Sequence, residues 1–408
     1  MGSDARPRQV ETVVVGAGQA GLVMSSFLQA AGREHVLLER RETLGGGWQD
    51  RWDAFRLVTP NAVTSWPRFP HEGPAPGGFM SRDEIVDRTR RYAAAISAPV
   101  EKSTEVRRLA SRPEGGFRLD TSRGFFEAAE VVVAAGGFHV PRIPVSTLAD
   151  RLLQIHSHRY RNEAALPPGA VLVVGTGQSG VQLAEELHAA GRRVILSVGH
   201  CGRVPRRYRG RDIFLWILEL DLRGMLPRVD QLPDPRLRFA CNPHVSGHGG
   251  GHDTDLRQFA ADGIRLVGRF EGADGERVRF APDLAANLRF ADRFFDDRFR
   301  ADVDRIIEEA GMDAPRDDRK PFAYEPPEVL DLDLAAEGVS TVLWTSGYRV
   351  DFSWIDLPIL DELGVPRQVR GVTAVPGLTF LGLPWQFNQR SATIFGVASD
   401  ARYLAERW

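Results

Sequence analysis

The sequence predicts an α/β protein built from two Rossmann-like units of the three-layer type, and three observations carry that prediction. A short apolar, mostly β-branched run ending in glycine occurs twice, at residues 12–16 and 171–175. Each run opens a glycine turn of the form G-x-G-x-x-G that leads into a helical stretch. A second apolar strand then follows each helix, at 36–38 and at 194–196. Buried parallel strands read as continuous apolar runs of this kind, joined by crossover helices. The composition agrees with this, since 43% hydrophobic and 26% charged residues in a chain of 408 are ordinary for globular proteins. The length gives room for two or three cores.

The elements follow in order. Residues 12–15 form the first strand, 19–31 the first helix with Gly32 as its stop, and 36–38 the second strand, ending at Glu39. Residues 131–133 form another buried strand, followed by a rigid turn with Pro141 and Pro144. Pro167 and Pro168 mark a linker. The opening pattern then returns as strand 171–174, a helix to Ala190 stopped by Gly191, and strand 194–196. Residues 213–222 and 302–310 read as helices, 247–251 as a flexible loop, 340–343 and 378–381 as strands, and 393–407 as a small-residue helix. The expected division is a first dinucleotide-binding unit over 1–160, a second with an insertion over 161–335, and a return to the first over 336–408.

The chemistry begins at the glycine turns. In Gly16-Ala17-Gly18-Gln19-Ala20-Gly21 the first glycine permits the tight turn and the second lets backbone reach a pyrophosphate. The third allows the helix to pack closely on the strand, and the helix N-terminus offers N–H groups and a positive dipole end to phosphate. Glu39 lies 18 residues after Gly21, where a carboxylate accepts hydrogen bonds from ribose hydroxyls. Gly175-Thr176-Gly177-Gln178-Ser179-Gly180 repeats the device, but Ser197 stands at the position of the acid. Arg203, Arg206, Arg207 and Arg209 follow it. A 2′-phosphate repels a carboxylate and seeks guanidinium, so the second site favours NADPH over NADH, with Arg203 as the first candidate and Arg207 as the second. One site for an adenosine diphosphate with free ribose and one for NADPH suggest FAD plus NADPH. Spacing alone leaves FAD and NAD both open at the first site.

Other classes are excluded or disfavoured. A net charge of -2 recruits neither nucleic acid nor an acidic membrane. Arginine dominates the 52 basic residues because only Lys102 and Lys320 are lysines, which reads as codon bias rather than phosphate recognition. Two cysteines, Cys201 and Cys241, with no C-x-x-C, exclude a disulfide scaffold or a four-thiolate metal site and lie 40 residues apart, with no tight redox pair. No apolar run approaches the roughly eighteen residues of a membrane span, and residues 1–11 lack a signal-peptide core, so the cytoplasm is the expected address. His244, His248 and His252 recur at helical spacing, but Gly247, Gly249, Gly250 and Gly251 break any helix there, so no metal site is expected.

Over nearly its whole length the chain resembles the flavin-containing monooxygenases, in particular the compact bacterial members labelled potassium-transport flavoproteins. The matching residues are Gly45-Gly46-Gly47-Trp48, Ala134-Ala135-Gly136, Arg206 to Asp212, Gly251-His252-Asp253, Thr345-Ser346-Gly347-Tyr348, and the stretches 371–385 and 396–404. Ala135 replaces the usual threonine of the hinge. Of the family signature His156, Ser157 and Tyr160 are kept, whereas Asp150 and Leu152 stand where phenylalanine and glycine are usual. Tyr160 occupies a position where Baeyer–Villiger members usually carry tryptophan, which tilts the reading toward heteroatom oxidation.

The resemblance implies FAD and NADPH as cofactors and a cycle in which reduced flavin and O₂ form a C4a-(hydro)peroxyflavin that oxygenates a small-molecule nitrogen or sulfur. It implies cofactor contacts from Gly16, Gly18, Gln19, Ala20, Gly21, Glu39 and Arg40, and from Gly47, Trp48, Arg51, Thr59 and Val106. Further contacts are implied for Ala135 and Gly136, for Gly175, Gly177, Gln178, Ser179, Gly180, Arg203 and Arg207, and for Ser346, Gly347, Tyr348, Gln389 and Ser391. The C-terminal helix, beginning near Ser391, is expected to aim its N-terminus at the flavin, with residues 389–393 by the pyrimidine edge. His156, Asn61 and Tyr160 are the expected catalytic positions, with His156 orienting the linker and Asn61 supplying an amide. Trp385, Gln386 and Phe387 are expected on the substrate side. The alternatives are Baeyer–Villiger oxygenation of a ketone, an NADPH-dependent flavin reductase, and a non-catalytic FAD/NADP-binding regulator. Oligomeric state is left open, a homodimer being one option.

Overall fold

The computed structural model describes residues 7–144, 147–320 and 322–407. Its first sheet is built around Arg8–Val15, which pairs in parallel with His35–Leu38 on one side and Gly124–Val133 on the other. Val100–Glu101 extends the first edge. The C-terminal half of Gly124–Val133 also receives the late strand Leu378–Phe380 in parallel, and its N-terminal half starts an antiparallel meander with Phe117–Thr121 and Val106–Ser111.

Because successive strand residues point to opposite faces, the fully buried central strand feeds two cores. Val14, Leu37 and Val132 face the helices, where Gln19–Ala30 packs with the C-terminal Val397–Ala405. Val13, Val15, Val131 and Val133 face Leu109, Phe117 and Leu119 of the meander. That is one complete three-layer unit.

The second sheet repeats the plan. Its order is Arg265–Val267, Val194–Ser197, Ala170–Val174, Val339–Trp344 and Leu153–His156, all parallel. Val171 and Val173 face the helix Gln178–Ala189. Leu172 and Val174 face a small sheet containing Phe270–Gly275 and Arg277–Phe280. The second sheet therefore draws strands from beyond 161–335 at both ends, since its parallel ladder is completed by 153–156 and 339–344. The second unit's sequence is interrupted by an insertion with helices Ile213–Leu222, Leu284–Phe295 and Ala301–Glu309 around Trp216, Phe295 and Ile306.

Three details depart from the sequence reading. The final helix starts at Val397, not near Ser391, because residues 390–396 form turns with Gly396 as the cap. Arg82–Ala95 is an additional helix, started by a capping box between Ser81 and Glu84. The 247–251 loop is seated rather than free, since a Cβ on Gly247 would lie 1.9 Å from the Leu57 carbonyl oxygen.

Candidate functional site: two glycine cradles and the hinge between them

The two glycine turns have the same construction. Gly16 adopts φ +104° and Gly175 φ +109°, a region that favours glycine. A Cβ on Gly21 would lie 1.9 Å from the Gly16 carbonyl oxygen, and a Cβ on Gly180 would lie 1.9 Å from that of Gly175. The third glycine of each turn thus lets its helix close onto the turn. Both helices begin on an extended glycine, Gly18 or Gly177, with no side chain capping the first-turn N–H groups. Each turn consequently presents a bare backbone concavity at a positive helix end, which suits a pyrophosphate.

Around the first turn the chain supplies more. Glu39 is buried, and its two oxygens accept from Ala17 N and Arg41 N, each at 3.0 Å. Gln19 donates to the Ala392 carbonyl at 3.0 Å and accepts from the Trp48 indole at 3.2 Å. One amide thereby joins the turn, the Gly45–Trp48 segment and the C-terminal tail. Arg51 lies among aromatic rings, 5.0 Å from the Phe138 centroid, 5.7 Å from Phe55 and 6.0 Å from Trp48. Its Nε is buried with no hydrogen-bond partner, and it forms no ion pair among the described residues. Burial lowers its pKa, against the opposing influence of Tyr348 and Asp50. A desolvated cation of this kind calls for an anion.

The second turn is held by side chains that sequence reasoning missed. His244 is fully buried and its Nε2 bonds the Thr176 carbonyl inside the turn, while its Nδ1 has no partner. Gln178 donates to the Val245 carbonyl at 2.7 Å. His248 and His252 go elsewhere, to the Ala54 carbonyl at 3.1 Å and to Glu185 at 2.6 Å, so the three histidines have three separate partners. The signal for His244 was its spacing, but its role depends on a contact across 68 residues.

Between the cradles, Thr345 donates to the Gly175 carbonyl at 2.7 Å, Ser346 bonds the Arg142 carbonyl, and Tyr348 pairs with Pro141. Gly347 accepts from Arg142 N at 2.9 Å and from the His156 ring at 3.0 Å. The same hinge runs through exposed Ala135 and through Gly136, at φ +79°.

Several expected residues take other roles. His156 has both ring nitrogens occupied, Nε2 on Gly347 O and Nδ1 receiving His158 N at 3.1 Å, and burial lowers its pKa to about 4. It is a neutral clamp on the hinge, not an acid or base. Tyr160 is wholly buried, donates to Glu186 at 3.0 Å, and has its pKa raised by burial and by that carboxylate. It ties the segment after strand Leu153–His156 to the helix Gln178–Ala189. Asn61 is buried, gives one amide hydrogen to the Ala75 carbonyl at 2.9 Å and leaves Oδ1 without a partner.

Arg203 is bound by two carboxylates, with Asp255 at 2.9 Å and Asp292 at 2.9 Å, so it is not available to a 2′-phosphate. Arg206 is buried on Asp212 and the Val58 carbonyl. Arg207 is exposed and has no side-chain partner among the described residues. Ser197, at the acid position, is held by Gly268 O and Phe270 N.

The remaining positions fall into two groups. Gly47 lies beside Phe138, where its Cβ would be 3.8 Å from the ring. Arg40 is exposed, Ser179 half-buried, and Thr59 buried. Val106 begins a meander strand and packs on the second core. Ser391 is buried and closes a turn by accepting Phe387 N and Asn388 N, so no helix end points from it. Gln389 is half-buried beside it. Gln386 is fully buried, accepts from Leu383 N, and leaves its Nε2 without a partner. Cys201 and Cys241, distant in sequence, come together on adjacent segments, the Cys201 sulfur 3.4 Å from Asn242 O and the Cys241 sulfur 3.9 Å from His200 O.

Residues 13–208 match the family of pyridine nucleotide-disulphide oxidoreductases. Over 400 residues the chain is 32% identical to an uncharacterised CzcO-like oxidoreductase of Geobacillus kaustophilus (strain HTA426), with 97% of each chain covered. The fold is similar to a flavin-containing monooxygenase from Stenotrophomonas maltophilia, with a TM-score of 0.68, 19% identity and 98% of each chain covered. It is also similar to the bacillithiol disulfide reductase Bdr of Staphylococcus aureus, with a TM-score of 0.63, 12% identity and 98% of each chain covered.

Proposed function

From a chain that belongs to the CzcO-like oxidoreductases of the flavin-containing monooxygenase family, we infer an enzyme that holds FAD in its first cradle and NADPH in its second. It consumes O₂ to oxygenate a nitrogen or sulfur centre of a small molecule. The observation that carries this reading is the pairing of two cradles of one construction, 1.9 Å glycine contact for 1.9 Å glycine contact, through a hinge that touches both.

The residues present fit the two cofactors. The Gly16–Gly21 turn would take the flavin pyrophosphate, and Glu39, with a spare lone pair on each oxygen, would take ribose hydroxyls. The Gly175–Gly180 turn would take the nicotinamide nucleotide, with Arg207 as the guanidinium free for a 2′-phosphate. The bound pair supplies hydride donation from nicotinamide and oxygen activation at flavin. This chain's share is binding, orientation and dryness. The Arg51 guanidinium lies over Trp48, Phe55 and Phe138. Arg51 in turn supplies a fixed positive charge beside the first cradle, favouring whatever negative charge develops there. His156 holds Gly347, and so sets the angle of the hinge that joins the two cradles.

The test is a paired product assay with an alkyl sulfide and a cyclic ketone, following NADPH oxidation and product by mass spectrometry. Sulfoxide formed in step with NADPH consumption is the expected result, and lactone would move the reading to Baeyer–Villiger chemistry. NADPH oxidation without either product would favour a reductase. Protein that stays colourless after incubation with FAD would end the proposal.

A further inference from the structure

The two cysteines offer chemistry that the oxygenase reading does not use. Segments 200–204 and 241–245 run side by side, with a parallel bridge between Arg203 and His244. His244 N donates to Gly202 O at 2.7 Å, and Val204 N donates to His244 O at 3.1 Å. This register sets Cys201 beside Asn242 and Cys241 beside His200, so the two cysteines stand one position out of step on adjacent segments. The Cys201 sulfur lies 3.4 Å from Asn242 O and the Cys241 sulfur lies 3.9 Å from His200 O, each on the backbone beside the other cysteine. Cys201 is buried and Cys241 exposed. The neighbouring Cys241 thiol, with burial, pushes the Cys201 thiol up, and the Cys201 neighbour draws Cys241 down. The accessible sulfur is therefore the better nucleophile and the sheltered one its resolving partner.

The position of the pair gives it a consequence. The Cys241 Cβ lies 3.6 Å from where a side chain on Gly177 would begin, and Gly177 is the middle glycine of the second cradle. His244 and Gln178 tie the same segment to the turn, at Thr176 and Val245. A change in the 241–245 segment is thus passed directly to the backbone that receives the nucleotide.

We propose that Cys201 and Cys241 form a reversible dithiol–disulfide pair, oxidised by hydrogen peroxide, whose disulfide state closes the second nucleotide cradle. The closing role rests on the reading of that cradle as the NADPH site. The Cys241 thiolate attacks one peroxide oxygen, the O–O bond breaks, and the departing hydroxide takes a proton to become water. The Cys201 thiol then attacks the sulfenic sulfur, the S–S bond forms, the S–O bond breaks, and its hydroxyl leaves with the thiol proton as a second water. Two thiols lose two electrons and two protons, and one peroxide becomes two waters. An exogenous dithiol reverses the change.

The experiment treats the full-length protein with hydrogen peroxide, reads intact mass and free thiols, and titrates NADP⁺ before and after. The expected result is a mass about 2 Da lower, a cross-linked 201–241 peptide, and loss of both thiols. NADP⁺ affinity should fall about tenfold and return with dithiothreitol. Cys241→Ser, altered at the exposed position, should keep its own untreated affinity after peroxide, and Cys201→Ser should stop at a sulfenic or sulfinic acid on Cys241. Two thiols surviving peroxide, or over-oxidation of Cys241 in the wild type with no cross-link, would overturn the pair. A disulfide that leaves NADP⁺ affinity unchanged would overturn the closing role. If the disulfide forms but even the reduced protein binds no NADP⁺, the NADPH reading of the cradle fails together with the closing role, while the cysteine pair stands.

Discussion

In the first cradle the strand after the helix ends on buried Glu39, whose oxygens draw Ala17 and Arg41 into the turn. In the second the same place holds Ser197, turned away to Gly268 and Phe270. The first turn is braced by Gln19, which reaches Trp48 and the tail, and the second by His244 and Gln178, which reach the 244–252 segment. The glycine geometry common to both is what any dinucleotide demands of a backbone. The differences lie in side chains arriving from elsewhere in the chain, and these decide which nucleotide each turn suits and what can disturb it.

The largest effect expected from that contrast is on acid stability. His156 and His244 are held neutral by burial, their pKa lowered from 6.5 to about 4, and both serve the hinge or the second cradle. Between these values the unfolded chain binds protons that the native one refuses. The contribution is therefore full above pH 6.5, declines as pH falls, and is gone near pH 4. Each histidine should cost about 3 kcal/mol over that range. Urea unfolding at stepped pH should show a slope of nearly two protons. His244→Gln should remove about half of it, and an unchanged slope would count against this view of the second cradle.

Next come the tight glycines. Gly21→Ala places a methyl against a backbone oxygen at 1.9 Å, as does Gly180→Ala, and overpacking of this kind costs about 1–3 kcal/mol. The first variant should lose flavin about tenfold or more by visible absorbance. The second should stay yellow and lose NADP⁺ affinity to a similar degree by titration. If both variants lost the same ligand, the assignment of the cradles would collapse.

Glu39→Gln should weaken flavin retention by about 1–2 kcal/mol, since a charge-assisted acceptor becomes a neutral amide. Ser197→Ala should lower stability by about 1 kcal/mol and leave cofactor choice unmoved, because that hydroxyl is already occupied. The smallest effects separate two arginines. Arg207→Ala should raise the KM for NADPH several-fold and leave that for NADH alone. Arg203→Ala, which removes one guanidinium from Asp255 and Asp292 while Asp292 keeps Arg257, should lower the melting temperature and leave the NADPH-to-NADH ratio unchanged.

How far the site could be read in advance follows from how local each feature is. Gly16, Gly21, Gly175 and Gly180 were legible because a tight turn between strand and helix restricts its residues within six positions. Glu39 was legible because it closes the strand that the same unit builds. Arg203 misled because a guanidinium after the second strand says nothing of Asp292, 89 residues away, which captures it. Tyr160 misled similarly, since Glu186, 26 residues away, takes its hydroxyl. The C-terminal helix was drawn too long because small residues suit helices, yet 390–396 are held in turns by contacts with Asp221 and Phe395.

The amino-acid order by itself determined the strands, the glycine turns and the helices that follow them, since each depends on apolar period and backbone freedom over a few residues. Tertiary structure alone decided which polar groups remain free. Arg51 is left without an anion, His156 and His244 are spent on carbonyls, and two cysteines 40 positions apart become neighbours. The reason is that a side chain's chemistry is set by its burial and by the partners it meets, and those partners come from segments that only folding brings together.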